Sequence, residues 1–279
     1  NYYNEMNDKI VTFGEIMLRF SRADRYRLCQ SHTYRENYGG SEANVSVSLA
    51  TLGDNVEYIT RVPDNPIGRN ACLRLNEYNV STDHVVRGGD RLGTYFFEEA
   101  AAMRSSNVVY DRNNSAFYSI EPRMIDWDKI LDDAFIFHTS GISTAVSNSA
   151  FWTTFAGIHA AKRKHVLVSF DINYRKNLWK YGVRAEDVLP DLCKFADIMF
   201  GDQGEYEKIS GLPRVPFEAT DENYKTDLPA MEDYFRKVAK MFPKCKKFVM
   251  AARNQITSNH HTLTGFIFAE GKLYHTRIY

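Results

Sequence analysis

Short runs of β-branched and aromatic residues alternate with stretches of helical periodicity along most of the chain, and this alternation restricts the fold more than any other feature. The strand-like runs are Ile10 to Phe13, Val56 to Thr60, Phe135 to His138, Val166 to Phe170, Ile198 to Phe200 and Phe248 to Ala251. Helices are predicted at Ser41 to Leu52, Ile67 to Tyr78, Asn148 to Lys164, Arg184 to Phe195 and Ala230 to Met241. A helix between two strands carries the chain back along the sheet, so the order implies an α/β fold with a mainly parallel central sheet and right-handed crossovers. Two segments break the rhythm, Met17 to Tyr38 and Gly93 to Phe117, and within the second Gly-Thr-Tyr-Phe-Phe-Glu-Glu and Asn-Val-Val-Tyr-Asp-Arg read as antiparallel strands. They either build something of their own or extend the main sheet. A last hairpin is signalled at Ala269-Glu270-Gly271-Lys272, between Thr264 to Phe268 and Leu273 to Ile278.

At 279 residues, 44% hydrophobic and 25% charged, the chain is long enough to bury a large core, and no repeat or flexible linker divides it. Thirty-five Lys and Arg balance thirty-five Asp and Glu, so no overall field holds a polyanion and nucleic acid is not an expected partner. No apolar run approaches the ~20 residues of a membrane helix, and the polar start is unlike a signal peptide. The expectation is a cytoplasmic protein without a membrane partner. Cys29, Cys72, Cys193 and Cys245 are too widely spaced for a zinc motif and suit reduced thiols. Adjacent His260 and His261 would point to opposite faces of a strand, which does not make a metal site.

The chemistry is concentrated in four stretches. In Gly39-Gly40-Ser41-Glu42-Ala43-Asn44 paired glycines allow close backbone approach, and Asn44, one turn into a helix, both donates and accepts, as a polyol site requires. Asp171-Ile172-Asn173-Tyr174-Arg175, followed by Leu178-Trp179, sets polar groups at the carboxyl end of a buried strand, where open α/β sheets bind ligands. The alternative is that Asp171 and Arg175 pair with each other to satisfy the strand end. Tyr110 and Arg112, two apart on a strand, share a face near Tyr95, and an arginine fork matches a carboxylate unless the group is merely ion-paired at the surface. Asp202-Gln203-Gly204-Glu205 follows another strand, and its Asp-x-x-Glu spacing also suits a helix cap.

The pattern Gly-Gly-x-x-x-Asn-x-Ser, then Gly53, Val62-Pro63-Asp64 and Gly68 resembles the first signature of the ribokinase-like (phosphofructokinase-B type) carbohydrate kinases, with Pro63 where that family usually has glycine. The resemblance implies a three-layer α/β/α fold over residues 1–279 as one domain, with the insertions 17–38 and 93–117 forming a small β lid that also serves as a dimer contact. Asp-x-Asn-x-Arg with Leu-Trp, together with Gly39, Gly40, Asn44, Tyr95, Tyr110, Arg112 and Arg175, resembles the substrate shell of the members that phosphorylate 2-keto-3-deoxygluconate. By the same resemblance Asn173, Asp202 and Glu205 lie in the phosphate and magnesium region, Glu205 holding the metal through water, and the cofactors are ATP and Mg2+. Asp202 replaces the family's usual asparagine. Val249 to Gln255 lacks the glycines of the nucleotide loop found in relatives, so no adenine contact is assigned from Ala251 to His261.

The family's second signature, Asp-Thr-x-Gly-Ala-Gly-Asp, which supplies the catalytic base, does not occur in these 279 residues. A C-terminal part beyond Tyr279 is therefore expected to be missing, and no catalytic residue is assigned. Two alternatives stay open: a kinase of a neutral sugar of the fructokinase or ribokinase type, and a non-catalytic sugar-binding relative.

Overall fold

The computed structural model describes residues 8–22, 26–30, 32–101, 104–216, 224–257 and 260–279; positions 23–25 and 31 of the first predicted insertion and the first seven residues lie outside it. In chain order β1 (Lys9–Phe13), β2 (Met17–Ser21) and β3 (Arg35–Gly39) precede α1 (Ser41–Leu52), β4 (Val56–Ile59), β5 (Arg61–Val62) and α2 (Pro66–Asn76). Then come β6 (Val86–Arg87), β7 (Thr94–Glu98), β8 (Asn107–Asp111), α3 (Trp127–Ile130), β9 (Ala134–Ser140), α4 (Gly141–Ala145), α5 (Asn148–Arg163), β10 (Leu167–Asp171) and α6 (Ala185–Cys193). The chain continues through β11 (Ile198–Phe200), α7 (Gln203–Ser210), α8 (Leu228–Met241), β12 (Lys247–Gln255), β13 (His261–Ala269) and β14 (Lys272–His275).

The central sheet runs β14-β13-β12-β11-β10-β9-β1-β4, parallel from β4 to β12 and antiparallel through β13 and β14. Alternate residues of β1 enter two apolar clusters. Val11 and Phe13 join one with Phe137, Val168 and Phe170, and Ile10 joins the other with Val56 and Tyr58. A strand buried on both faces is what a parallel sheet between helices requires, and it explains why β1 reads as a continuous apolar run.

Helix α1 begins at Gly40, whose backbone is extended, and ends where Gly53 turns left-handed at φ 101°. There the Gly53 N–H reaches Ala50 and Asp54 N–H reaches Leu49, which satisfies two terminal carbonyls. The final hairpin turns at Glu270 and Gly271, both with positive φ, the pairing that a two-residue turn between twisted strands favours.

The two irregular insertions do not extend the central sheet. Their strands form a separate sheet, β3-β2-β7-β8, in which only the β2–β7 pair is parallel. Two departures from the sequence reading concern the last third of the chain. Helix α7 was not among the predicted helices, and β12 runs on past Ala251, where the predicted strand ended, to Gln255 as a regular ladder against β13. No helix among the described residues is long and apolar enough to cross a membrane, and no three His, Cys, Asp or Glu side chains among them converge as metal ligands. All four cysteines are free thiols, with Cys72, Cys193 and Cys245 buried.

Candidate active site

A cavity of about 510 Å³ opens between the smaller sheet and the central one. The turn after β1 contributes Glu15 and the start of β2 Met17, α1 and its cap contribute Gly40, Ser41 and Asn44, and the end of β10 contributes Asp171, followed by Asn173, Arg175 and Lys176. The smaller sheet closes it with Tyr95 of β7 and Tyr110 of β8, directly opposite each other in the strand register with rings 5.7 Å apart. Arg112 stands one residue beyond β8. Its guanidinium lies 6.0 Å from the Tyr110 ring, so the two share a face even though the strand has ended.

Of the residues singled out in the sequence, Gly40, Asn44, Tyr95, Tyr110, Arg112, Asn173 and Arg175 line this one cavity. Gly39 sits just behind it, where an added Cβ would lie 3.3 Å from the Tyr95 hydroxyl. The structure gives Gly40 a reason of its own: a Cβ there would meet the Glu15 carbonyl oxygen at 2.0 Å, where two protein backbones cross.

Arg112 is neither a surface group nor a free fork. It is 8% exposed, and its Nε donates to Glu15 Oε2 across 2.8 Å while Nη2 donates to the same oxygen. Ser115 Oγ donates to Glu15 Oε1 across 2.6 Å. Arg175 does not pair with Asp171. The Asp171 carboxylate instead accepts from Asn173 Nδ2 at 3.1 Å, and the same amide reaches Ser41 Oγ at 2.8 Å. Asn173 carries a positive φ of 35°, a conformation rare for a side-chain-bearing residue, which these two hydrogen bonds from its amide help to hold.

Asp202 and Glu205 do not line the cavity. They form a capping box on α7: Asp202 Oδ1 accepts from Glu205 N–H at 2.8 Å, and Glu205 Oε2 accepts from Asp202 N–H at 2.9 Å. Glu205 Oε1 accepts from Tyr174 N–H at 2.7 Å, which ties α7 to the segment carrying Asn173 and Arg175. Burial raises Glu205 above the ordinary carboxylate range, against the pull of these amides. Asp171 is pushed up to about 7, first by burial and then by the neighbouring Glu205 and Glu42 carboxylates.

Sequence reasoning overlooked Glu15, Lys176 and the fully buried Glu42, which accepts from Ser140 and Ser143. A signal for Glu15 existed. It follows the carboxyl end of a buried strand, the same placement that drew attention to Asp171.

A mainly parallel sheet between helices, with a cavity at its strand ends and a separate small sheet beside it, is the architecture shared with the pfkB-type carbohydrate kinases. Residues 7–239 match the pfkB family carbohydrate kinase profile, and the chain belongs to that family. It is 35% identical over 196 residues to a 2-dehydro-3-deoxygalactonokinase of Haloferax volcanii, covering 70% of this chain and 60% of that protein. A 5-dehydro-2-deoxygluconokinase of Clostridium perfringens is 29% identical over 227 residues, 79% of this chain and 66% of that one. The chain thus spans less than two thirds of these curated relatives. The crystal structure of a 2-dehydro-3-deoxygluconokinase from Thermotoga maritima superimposes with a TM-score of 0.88 at 34% identity, covering 97% of this chain and 80% of that one.

Proposed function

We propose that the protein is an ATP-dependent kinase that transfers the γ-phosphoryl group to a primary hydroxyl of 2-keto-3-deoxygluconate. The observation that carries this reading is that two cationic side chains, Arg175 and Lys176, line the same cavity as Tyr110 and Arg112. A carboxylate at one end of an extended six-carbon acid fits there, and a neutral sugar has no need of those charges. Likeness to kinases of 2-dehydro-3-deoxy acids in two lineages supports the same substrate class. Gly40, Asn44 and Tyr95 would hold the hydroxyls and Tyr110, Arg112 and Arg175 the carboxylate end.

Positioning supplies most of the catalysis in such a transfer: the substrate hydroxyl forms a bond to phosphorus in line with the departing oxygen of ADP. The smaller sheet would exclude water by closing on the sugar. Magnesium fits here only in its water-rich form, because both Glu205 oxygens already accept backbone N–H groups and no carboxylate cage exists among the described residues. Glu205 would hold it through water near the phosphates, where the metal's charge stabilises the transferring group.

One observation favours a neutral sugar instead: Glu15 cancels the charge of Arg112. Among the described residues Arg175 has no such partner. Titration calorimetry of 2-keto-3-deoxygluconate and its galactonate epimer beside ribose and fructose tests the reading. Selective binding of the two acids supports it, and preference for a neutral sugar replaces it with a fructokinase or ribokinase assignment.

The smaller sheet also bears on assembly. Val108, Val109 and Tyr110 of its edge strand β8 are exposed, and on the face of Val109 the rings of Phe20, Phe96 and Tyr34 cluster within 6 Å of one another. An exposed apolar edge invites pairing, and the proposed partner is a second copy of the chain, lid against lid.

A further inference from the structure

We infer that Arg19 of β2 is a positioning residue for Tyr95: its guanidinium takes up the accepting side of the Tyr95 phenol oxygen, so that the Tyr95 O–H is left to donate to an oxygen of the sugar. The inference rests on the reading of the cavity as a sugar site and adds to it a residue outside the cavity wall.

Strand register brings the two side chains together. Arg19 stands directly opposite Tyr95 in the parallel β2–β7 pair, and Tyr95 directly opposite Tyr110 in β7–β8, so the three make one cross-strand row on one face of the smaller sheet. Met17, two residues before Arg19 on β2, lines the cavity, which puts that row on the cavity side. Arg19 is half-buried and does not itself line the cavity. Its guanidinium carbon lies 5.8 Å from the centre of the Phe97 ring, an aromatic face that holds the charge in place. Arg19 forms no ion pair with any described residue, and its Nε is buried without a partner. The Tyr95 hydroxyl is therefore the polar group that this cation serves. Burial raises Tyr95 above the ordinary phenol range, and the charge of Arg19, with a hydrogen bond from it, pulls the other way. A guanidinium only donates, whereas a phenol both donates and accepts. Facing Arg19, the Tyr95 oxygen can only accept, and its one proton is turned to a different neighbour. The Tyr95 hydroxyl and Asn44 Oδ1 lie 3.3 Å and 3.5 Å from the site of a Cβ on Gly39, so that proton has the hydroxyl-binding wall of the cavity before it. A cation behind the phenol also makes it the stronger donor.

The test takes two readings on the whole chain. One is the titration of Tyr95, followed by NMR of tyrosine isotopically labelled at Cζ, with Tyr95→Phe assigning the resonance. The other is calorimetric affinity for 2-keto-3-deoxygluconate. Arg19→Met keeps an apolar stem against Phe97 and removes the charge. It should move the Tyr95 titration to higher pH and weaken sugar binding about tenfold, as Tyr95→Phe should. The double variant should bind no more weakly than Tyr95→Phe alone, and Arg19→Lys should recover part of both effects. Additive losses, or a Tyr95 titration that does not move, overturn the pairing. If Arg19→Met lowers only the melting temperature, Arg19 is structural and its positioning role is refuted. The titration is read without ligand, so it decides the pairing whichever sugar binds. A parent chain that prefers ribose or fructose overturns the sugar-acid reading alone, and the same cycle run on that sugar then decides the task of Arg19.

Discussion

The carboxylate of Glu42, wholly buried in α1, lies against the backbone of Gly14: a Cβ built on Gly14 would come within 2.1 Å of Glu42 Oε2. Glu42 Oε1 accepts from Ser140 at 2.6 Å and Ser143 at 2.8 Å, while Oε2 has no hydrogen-bond partner. One carboxylate therefore locks the start of α1 to the ends of β1 and β9. Gly14→Ala should cost about 3 kcal/mol by overpacking. In a Glu42→Ala background the same methyl has room, so a double-mutant cycle from urea unfolding should show a coupling of about 2 kcal/mol. Additive costs would mean that the clash is relieved by movement elsewhere.

Two buried groups make stability depend on pH in opposite senses. Burial lowers His138 to about 4 from 6.5, and burial with Glu205 and Glu42 raises Asp171 to about 7 from 3.8. The imidazole binds its proton less well folded than unfolded, so its contribution is present above 6.5 and is lost as pH falls towards 4. The carboxyl keeps its proton better folded than unfolded, so its contribution is present below 3.8 and is lost as pH rises through 7. Relative to His138→Phe, the parent should lose about 3 kcal/mol on acidification across that window. Relative to Asp171→Asn, it should lose about 4 kcal/mol on going alkaline. Urea melts of the three proteins across the range read both slopes, and parallel curves would refute the assignments.

Period and punctuation carried the fold. Helix α1 occupies the predicted Ser41 to Leu52 because glycines flank it at both ends, and the β1 and β10 runs are legible because both their faces are buried. The register of the small sheet was legible only in part. Tyr95 and Tyr110 sit on readable strands, but the Glu15–Arg112 pair joins residues 97 apart, and no local pattern announces it. Asp202 and Glu205 show the opposite problem. Their spacing carries two meanings: the capping box takes one oxygen of each side chain, and the Tyr174 amide takes the other oxygen of Glu205. Strand β12 continues because residues 247–255 alternate exposed and buried, a period of two that the apolar run ending at Ala251 had masked.

Assembly through the small sheet predicts a mass change from a single exposed position. Val109 is 48% exposed on edge strand β8, opposite Phe96 in the register. Val109→Lys places a charge in the middle of the proposed contact while leaving the cavity face, which carries Tyr95 and Tyr110, untouched. Sedimentation equilibrium should then report a dimer for the parent and a monomer for the variant. An unchanged mass would remove this surface from consideration.

Arg175→Ala tests the sugar-acid reading most directly. The side chain is exposed and has no hydrogen-bonding partner among the described residues, so its removal leaves no buried charge and should shift stability by no more than about 0.5 kcal/mol. A charge-assisted contact with the substrate carboxylate is worth about 2 kcal/mol, so affinity for 2-keto-3-deoxygluconate should fall by about thirtyfold. ATP meets a different part of the site on this reading, and its affinity should change far less. Calorimetry with each ligand separates the two. Equal losses for both would show that Arg175 organises the whole strand end, through its field on Asp171 and Glu205, and that the carboxylate is held elsewhere.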